Sequence, residues 1–218
     1  MDIERKVNGR NIPARKTYGE KMGTHALMEI IWRDRHYYEE SGGGVTFSGG
    51  EPMMQVEVLS ELLRECKSAG LHTAVDTCGY AERGHFEMIL GSTDLFLFDL
   101  KHMDPDLHRK YTGADNGPIF ANADFLLGEG ARVVFRIPVI PGINTSQEEI
   151  SLMVSFLEKR SHRCSELHLL PYHRIAWNKY SMLGMKNQLP DLKEPGQRLM
   201  MSLKKRFEKT GLEVIIGG

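Results

Sequence analysis

The order of its apolar runs constrains this chain more than any single motif does. Strand-like runs rich in β-branched and aromatic residues stand at VTF (45–47), HTAVDT (72–77), DLFLFDLK (94–101), RVVFRIPVI (132–140), ELHLLPY (166–172) and LEVII (212–216). Between them lie segments with apolar residues at helical spacing, such as Val56, Leu59, Leu62 and Leu63, then Ile150, Met153, Val154 and Leu157, and a last one from Pro195 to Lys209. The pattern reads βα throughout. Near-continuous apolar strands separated by helix-length segments predict an α/β fold whose parallel strands are covered on both faces. That leaves an open doubly wound sheet or a (β/α) barrel, whole or partial, and periodicity alone does not separate the two. Gly70, Gly130 and Gly211 each close a helical run just before a strand, where helices commonly end in a left-handed residue.

Two stretches depart from the alternation. Residues 1–23 show no period and carry Arg5, Lys6, Arg10, Arg15, Lys16 and Lys21, which reads as a solvated arm or a remnant of something larger, set apart from a main domain over 24–218. A helix is expected from Thr24 to Glu40, with Thr24 as its N-cap and Ile30, Ile31, Tyr37 and Tyr38 as its buried stripe. Residues 174–194 form the longest aperiodic segment, and Trp177, Tyr180 and Met182 suggest a loop packed over one face of the domain.

Composition narrows the function classes. Lys and Arg number 28 against 29 Asp and Glu, a formal charge of −1, so there is no bulk attraction to nucleic acid or to an anionic membrane. No apolar run approaches the roughly 18 residues a spanning helix needs, and the basic N-terminus lacks an apolar signal core, so a cytoplasmic protein is expected. The cysteines, Cys66, Cys78 and Cys164, are odd in number and far apart, which excludes both a disulfide framework and a CxxC metal knuckle. Cys66 and Cys164 read as structural; Cys78 draws more notice because it follows a strand. Met53, Met54, Met200 and Met201 read as core filler.

The polar residues on the strands fall in one place. Gly49, Gly50 and Glu51 follow the first strand, Asp76 and Thr77 close the second, Asp99 and Lys101 close the third, Arg136 interrupts the fourth and His173 follows the fifth. All except Arg136 lie at or just past C-terminal ends, the edge where parallel α/β folds build their sites. Glycines there open the backbone to a ligand, Glu51 can take an ammonium group, and Lys101 or Arg136 a carboxylate. Such a set suits a zwitterion. Asp76, Thr77 and Asp99 could alternatively gather a hard cation, and His173 could hydrogen-bond a ribose or purine. The glycine run lacks the Lys-Ser/Thr of a phosphate loop and the spacing of a dinucleotide fingerprint.

In this order and spacing, SGGGVTFSGGEP, AVDTCGY, LFDLKHMD, FRIPVIPGIN and LHLLPYH resemble the radical S-adenosylmethionine enzymes that activate glycyl radical enzymes, the family of the pyruvate formate-lyase activating enzyme. The resemblance runs from about Ala14 to the C-terminus. It implies a partial (β/α) barrel that holds S-adenosylmethionine across its C-terminal edge. Gly49, Gly50, Glu51 and Pro52 would match the motif that receives the methionine amino group. Lys101 and Arg136 would match basic positions near the methionine carboxylate and the nucleoside, His173 the adenosine-side histidine, and Asp99, with Asp76 and Thr77, positions that can hold a monovalent cation. The family reaction so implied is one-electron cleavage of S-adenosylmethionine by a 4Fe–4S cluster, fed by a flavodoxin- or ferredoxin-type reductant. The 5′-deoxyadenosyl radical formed then takes a hydrogen from a glycine of a partner glycyl radical enzyme.

One part of the pattern is missing. The family's CxxxCxxC cluster motif is not in these residues, and neither is the first barrel strand, while PARKTYGEKMG resembles the segment that follows a ferredoxin-like insert in many activators of enzymes other than pyruvate formate-lyase. Three explanations follow, led by the first: a chain cut short, a natural short protein whose cluster arrives on another chain, and a cluster-free relative that binds S-adenosylmethionine or the partner without radical chemistry. Without the first strand, residues 45–48 should form an exposed edge able to self-associate. An unrelated (β/α) enzyme using Asp99 and Lys101 as an acid–base pair would leave GGEP unexplained.

Overall fold

The computed structural model describes residues 3–7, 10–14, 20–164, 166–173 and 192–217, the first two segments as backbone. All six expected strands are present: β3 (Gly44–Phe47), β4 (His72–Thr77), β5 (Leu95–Asp99), β6 (Val133–Val139), β7 (Glu166–Pro171) and β8 (Glu213–Ile216). They form one sheet in sequence order, β3-β4-β5-β6-β7-β8, with each neighbouring pair parallel. The crossovers carry α3 (Val56–Ser68), α4 (Arg83–Leu90), α5 (Pro105–Thr112) and α6 (Gly117–Gly128), α7 (Gln147–Glu158) and α8 (Gln197–Phe207). The expected helix-ending glycines Gly70, Gly130 and Gly211 all have left-handed backbones.

Strand alternation decides which of the two parallel architectures this is. Val75, Phe96, Phe98, Phe135, Ile137, Leu167, Leu169 and Val214 share one face by register and join one core with apolar residues of α3, α4, α6, α7 and α8. Burying a Phe or Leu side chain of this kind contributes roughly 1.5–3 kcal/mol. The opposite face carries Asp76, Leu97, Asp99, Arg136 and His168 and is only partly buried. The helices of the core thus cover one face and leave a polar inner one, as in a partial barrel; a doubly wound sheet would bury both. The expected coverage of both faces is corrected accordingly.

The N-terminal region differs from its sequence reading. Within the expected arm, β1 (Ile3–Val7) and β2 (Arg10–Ala14) pair antiparallel, with Ile3 opposite Ala14 and Val7 opposite Arg10. The intervening Asn8-Gly9 dipeptide is a strong hairpin signal, but IERKV and RNIPA lack apolar alternation, so pattern alone passes over them. The helix expected over 24–40 is broken at Asp34 into α1 (Thr24–Arg33) and α2 (Arg35–Ser41). Gly23, not Thr24, occupies the N-cap position, and the Thr24 hydroxyl bonds Glu61 at 2.9 Å. The buried stripe is Leu27, Met28, Ile31 and Tyr38, whereas Ile30 and Tyr37 face solvent. Cys66 is buried against Met28, as its structural reading requires. Cys164 is buried as well, its thiol donating to the Arg160 carbonyl. Met53 and Met200 are in the core, but Met54 and Met201 are exposed, Met54 at 80%. Trp177, Tyr180 and Met182 lie outside the described residues.

Within the described sheet β3 pairs only with β4 and is an edge strand, as expected. A groove of about 660 Å³ runs beside it, lined by Leu27 and Ile31 of α1, Phe47 and Ser48 of β3 and its exit, and Leu59 and Leu62 of α3.

Candidate functional site

Two hydrogen-bonded groups meet at the C-terminal edge of the sheet. The first is centred on Arg136, whose side chain is 14% exposed. Its Nε and Nη2 donate to Asp99 Oδ1 at 3.0 and 2.7 Å, and its Nη1 donates to Asp76 Oδ2 at 3.1 Å. Its Nη2 also pairs with Asp76 Oδ1. Asp76 accepts a further bond from the Ser48 hydroxyl at 3.0 Å, and Lys101 Nζ lies 3.8 Å from Asp99 Oδ2. Register produces this cluster: Asp99 stands directly opposite Arg136, and Asp76 lies one strand further toward the edge on the same inner face. Burial pushes the Asp99 carboxyl above the usual carboxylate range, against the opposing pull of Arg136 and Lys101. Burial would weaken the charge on Arg136, but Asp99 and Asp76 outweigh it and hold the guanidinium protonated.

The oxygens expected to gather a monovalent cation are therefore engaged differently. Asp76 and Asp99 share the guanidinium of Arg136 between them, and Thr77 bonds Glu51. An organic cation of the chain itself neutralises the carboxylate pair.

The second group is centred on Glu51. Its Oε1 accepts from the Thr77 hydroxyl at 2.7 Å and the Met53 backbone N–H at 3.3 Å, and its Oε2 accepts from the Cys78 N–H at 2.8 Å. Burial, then the neighbouring Glu51 carboxylate, push the Cys78 thiol from its ordinary 9.0 up to about 11. Gly49 has φ +124, a conformation L side chains rarely adopt, and the positions that a Cβ on Gly49 or Gly50 would occupy are open. Gly79 is required sterically, since a Cβ there would lie 2.1 Å from the ring of Phe98.

Of the residues singled out in the sequence, Asp76, Asp99, Lys101 and Arg136 form one network. Glu51 stands in a separate group on Thr77, the residue that follows Asp76 on β4. His173 lies two residues past β7, exposed. Sequence reasoning missed Asn144, which is 1% exposed. Its Nδ2 donates to the carbonyls of Lys101 at 3.1 Å and Pro138 at 2.6 Å, and its Oδ1 accepts from the Ile140 N–H at 2.9 Å. This side chain ties the Lys101 loop to the end of β6, and the turn sequence PGIN was its only signal. Glu149 likewise fixes the next residues, accepting from the Met103 N–H at 2.6 Å beside the buried His102 ring. Asn122 holds the loop after β4, donating to the Gly79 and Ala81 carbonyls at 2.9 Å each.

The radical SAM superfamily model matches residues 13–154 of this chain. The trans-4-hydroxy-L-proline dehydratase activating enzyme of Clostridioides difficile is 39% identical over 208 residues, covering 94% of this chain and 68% of that protein. The chain belongs to the radical SAM superfamily, among the glycyl radical enzyme activating enzymes. The (2S)-3-sulfopropanediol dehydratase activating enzyme of Klebsiella oxytoca is 35% identical, covering 93% of this chain and 65% of its own length. The chain thus spans about two thirds of the length of these two relatives. Among solved structures, a domain of the pyruvate-formate lyase-activating enzyme from Bacteroides vulgatus superimposes with a TM-score of 0.68 at 30% identity. That match covers 81% of this chain and 99% of the domain, in agreement with the partial-barrel architecture.

Radical SAM chemistry uses S-adenosylmethionine and a 4Fe–4S cluster, and the residues here fit the two unequally. The open glycine backbone, the inner-face charges and the amine of Lys101 suit a zwitterionic nucleoside. The cluster finds no ligand set. CxxxCxxC is absent from the 218 residues. Cys66 sits inside α3, Cys78 after β4 and Cys164 after α7, and among the described residues no three His, Cys, Asp or Glu side chains gather as a metal-holding group. Any cluster that serves this site has its ligands outside these residues. No helix among the described residues is long and apolar enough to cross a membrane.

Proposed function

We propose that the C-terminal rim holds S-adenosylmethionine and that the chain is the nucleoside-holding body of an activating enzyme for a glycyl radical enzyme. The observation that supports this best is the meeting of Asp76, Asp99, Lys101 and Arg136 on one edge, where Ser48, the residue before Gly49 and Gly50, bonds Asp76 at 3.0 Å. When bound, S-adenosylmethionine supplies the bond whose cleavage leads to the glycine radical in the family reaction. What the chain's own residues do is narrower. The glycine loop offers bare backbone to the amino acid, Lys101 offers a partly exposed ammonium to its carboxylate, and Arg136 keeps two carboxylates neutralised beneath the ligand. On the family's pattern His173 would stand on the adenosine side. A flavodoxin- or ferredoxin-type reductant enters only with a cluster and forms no part of this proposal.

The relatives point to the partner's class. Two of them are named activating enzymes of dehydratases, which together with the PARKTYGEKMG segment favours a glycyl radical enzyme other than pyruvate formate-lyase as the partner. Isothermal titration of the iron-free chain tests the ligand. Saturable binding of S-adenosylmethionine at one site, weakened by Lys101→Met, supports the reading, whereas no saturable binding, or binding indifferent to Lys101→Met, rejects it. In a parallel arm, anaerobic treatment with iron and sulfide should leave no stable cluster on this chain alone.

A further inference from the structure

The first turn of α7 carries a carboxylate diverted from its local task. Ser146 and Glu149 have the spacing of a capping box, in which the Ser oxygen accepts from the N–H three residues on and the Glu side chain reaches back to the N-cap N–H. The first half is made, with Ser146 accepting from the Glu149 N–H at 3.1 Å. The carboxylate has turned inward instead. Its Oε1 accepts from the Met103 N–H at 2.6 Å, 46 positions away in sequence, and its Oε2 lies 3.1 Å from His102 Nδ1, both side chains being at most 4% exposed. Two facing lone pairs at that distance would repel, so a proton lies between Nδ1 and Oε2. His102 Nε2 is buried with no partner among the described residues, so the ring is held on its Nδ1 side and hands no proton onward. Burying such a pair is unfavourable, and apolar side chains of the same size would serve stability as well.

What the pair does supply is a fixed geometry for the segment that carries Lys101. Asn144 donates to the Lys101 carbonyl at 3.1 Å, and Asn116, at the start of α6, donates to the His102 and Met103 carbonyls at 3.1 and 2.8 Å. Residues 101–103 thus hang from three buried side chains on separate elements, and of these Glu149 alone also reaches a side chain of the segment. His102 is held inward beneath the rim. Its neighbour Lys101 stands outward, 38% exposed, with Nζ 3.8 Å from Asp99 Oδ2. Resting on the reading that Lys101 meets the carboxylate of the ligand, we propose that His102 and Glu149 are positioning residues: together they set the place of the Lys101 ammonium, and through it the preference for a ligand that carries a carboxylate. The lysine stem is flexible and takes up part of any displacement, so loss of the pair should lower this preference without abolishing it.

The test measures, by calorimetry on the whole chain, the affinity ratio of S-adenosylmethionine to its decarboxylated form. Amide hydrogen exchange at Met103 is followed without ligand. His102→Leu combined with Glu149→Leu removes the pair without leaving an unmatched buried charge, so the double variant should stay folded. Its ratio should fall about tenfold, the equivalent of about 1.4 kcal/mol, and its Met103 exchange should rise. Lys101→Met should then lower the ratio by a smaller factor in this background than in the wild type. His102→Asn, whose amide can bring a donor or an acceptor to the Nδ1 position, should keep both wild-type values. The idea is overturned if the double variant keeps the wild-type ratio, if Lys101→Met acts by the same factor in both backgrounds, or if His102→Asn loses as much as the double variant. If the double variant does not fold, His102→Leu alone is read against His102→Asn by the same criteria. A wild type that binds neither ligand, or whose ratio ignores Lys101→Met, overturns the reading of Lys101 instead, and exchange at Met103 still decides whether the pair holds the segment.

Discussion

The two faces of the sheet are built from alternate residues of the same strands, and they solve opposite problems. On β5 and β6, Phe96, Phe98, Phe135 and Ile137 are buried to 1% exposure or less beneath the helices, while Asp99 and Arg136 on the other face remain partly open and charged. The outer face gains from excluding water, and its cost of change is a cavity. The inner face keeps charges that survive only because each is matched, and its cost of change is an unmatched ion. The packed core and the charged rim are thereby separated by a single-residue step along each strand.

The largest expected effect falls on the outer face. Phe98 packs edge-on against Phe135 at 5.9 Å between ring centroids and also touches Phe86, so Phe98→Ala should destabilise the chain by roughly 3–5 kcal/mol. Urea denaturation measures this directly. At temperatures where the variant remains folded, its affinity for S-adenosylmethionine should be that of the wild type. A changed affinity would break the separation of the two faces.

An intermediate effect is expected on the inner face. Arg136→Met leaves Asp76 and Asp99 facing one another without their shared cation, at side-chain exposures of 23% and 20%. Partial solvation should keep the cost to about 2 kcal/mol, below the roughly 3–5 kcal/mol of a fully buried pair. Adding Asp76→Asn and Asp99→Asn to Arg136→Met removes the repulsion, so denaturation should show stability recovering in the triple variant while ligand affinity does not. Recovery of both would mean that the charges serve the fold alone.

These faces were not equally legible in the sequence. The strands could be read because long apolar runs such as RVVFRIPVI interrupt a chain that is otherwise helical in period, and Asp99 and Arg136 stood out as breaks in those runs. What could not be read were contacts set by pairing between strands. That Thr77 meets Glu51 depends on how the exit of β3 folds over the end of β4. That Asn144 meets Lys101 depends on two loops 43 positions apart in sequence. Local pattern carries neither. The break at Asp34 was hidden for a related reason: α1 and α2 each keep helical spacing, and nothing local separates Ile30 and Tyr37, which lie in solvent, from Ile31 and Tyr38 beside them, which pack on the core.

The smallest effect separates the rim from the core through two thiols. Cys66 and Cys78 are both raised from 9.0 to about 11, mainly by burial in each case. The second cause differs: for Cys78 it is the Glu51 carboxylate at the rim, for Cys66 the charge of Glu65, the Cys66 thiol itself lying in the apolar cluster with Met28, Leu62 and Leu71. For either thiol the folded state keeps a proton that the unfolded chain releases above its ordinary value. Each contribution to stability is therefore complete below pH 9 and is lost as the pH rises from 9.0 toward about 11. Urea melts at pH 8.5 and 10.5 should show the wild type losing more stability over that interval than Cys78→Ala or Cys66→Ala. Glu51→Gln then divides the pair: removing the carboxylate should bring the alkylation of Cys78 by iodoacetamide to a lower pH and leave that of Cys66 where it was. Equal shifts at both thiols would show that loosening of the whole domain, and not loss of the carboxylate at the rim, had exposed them.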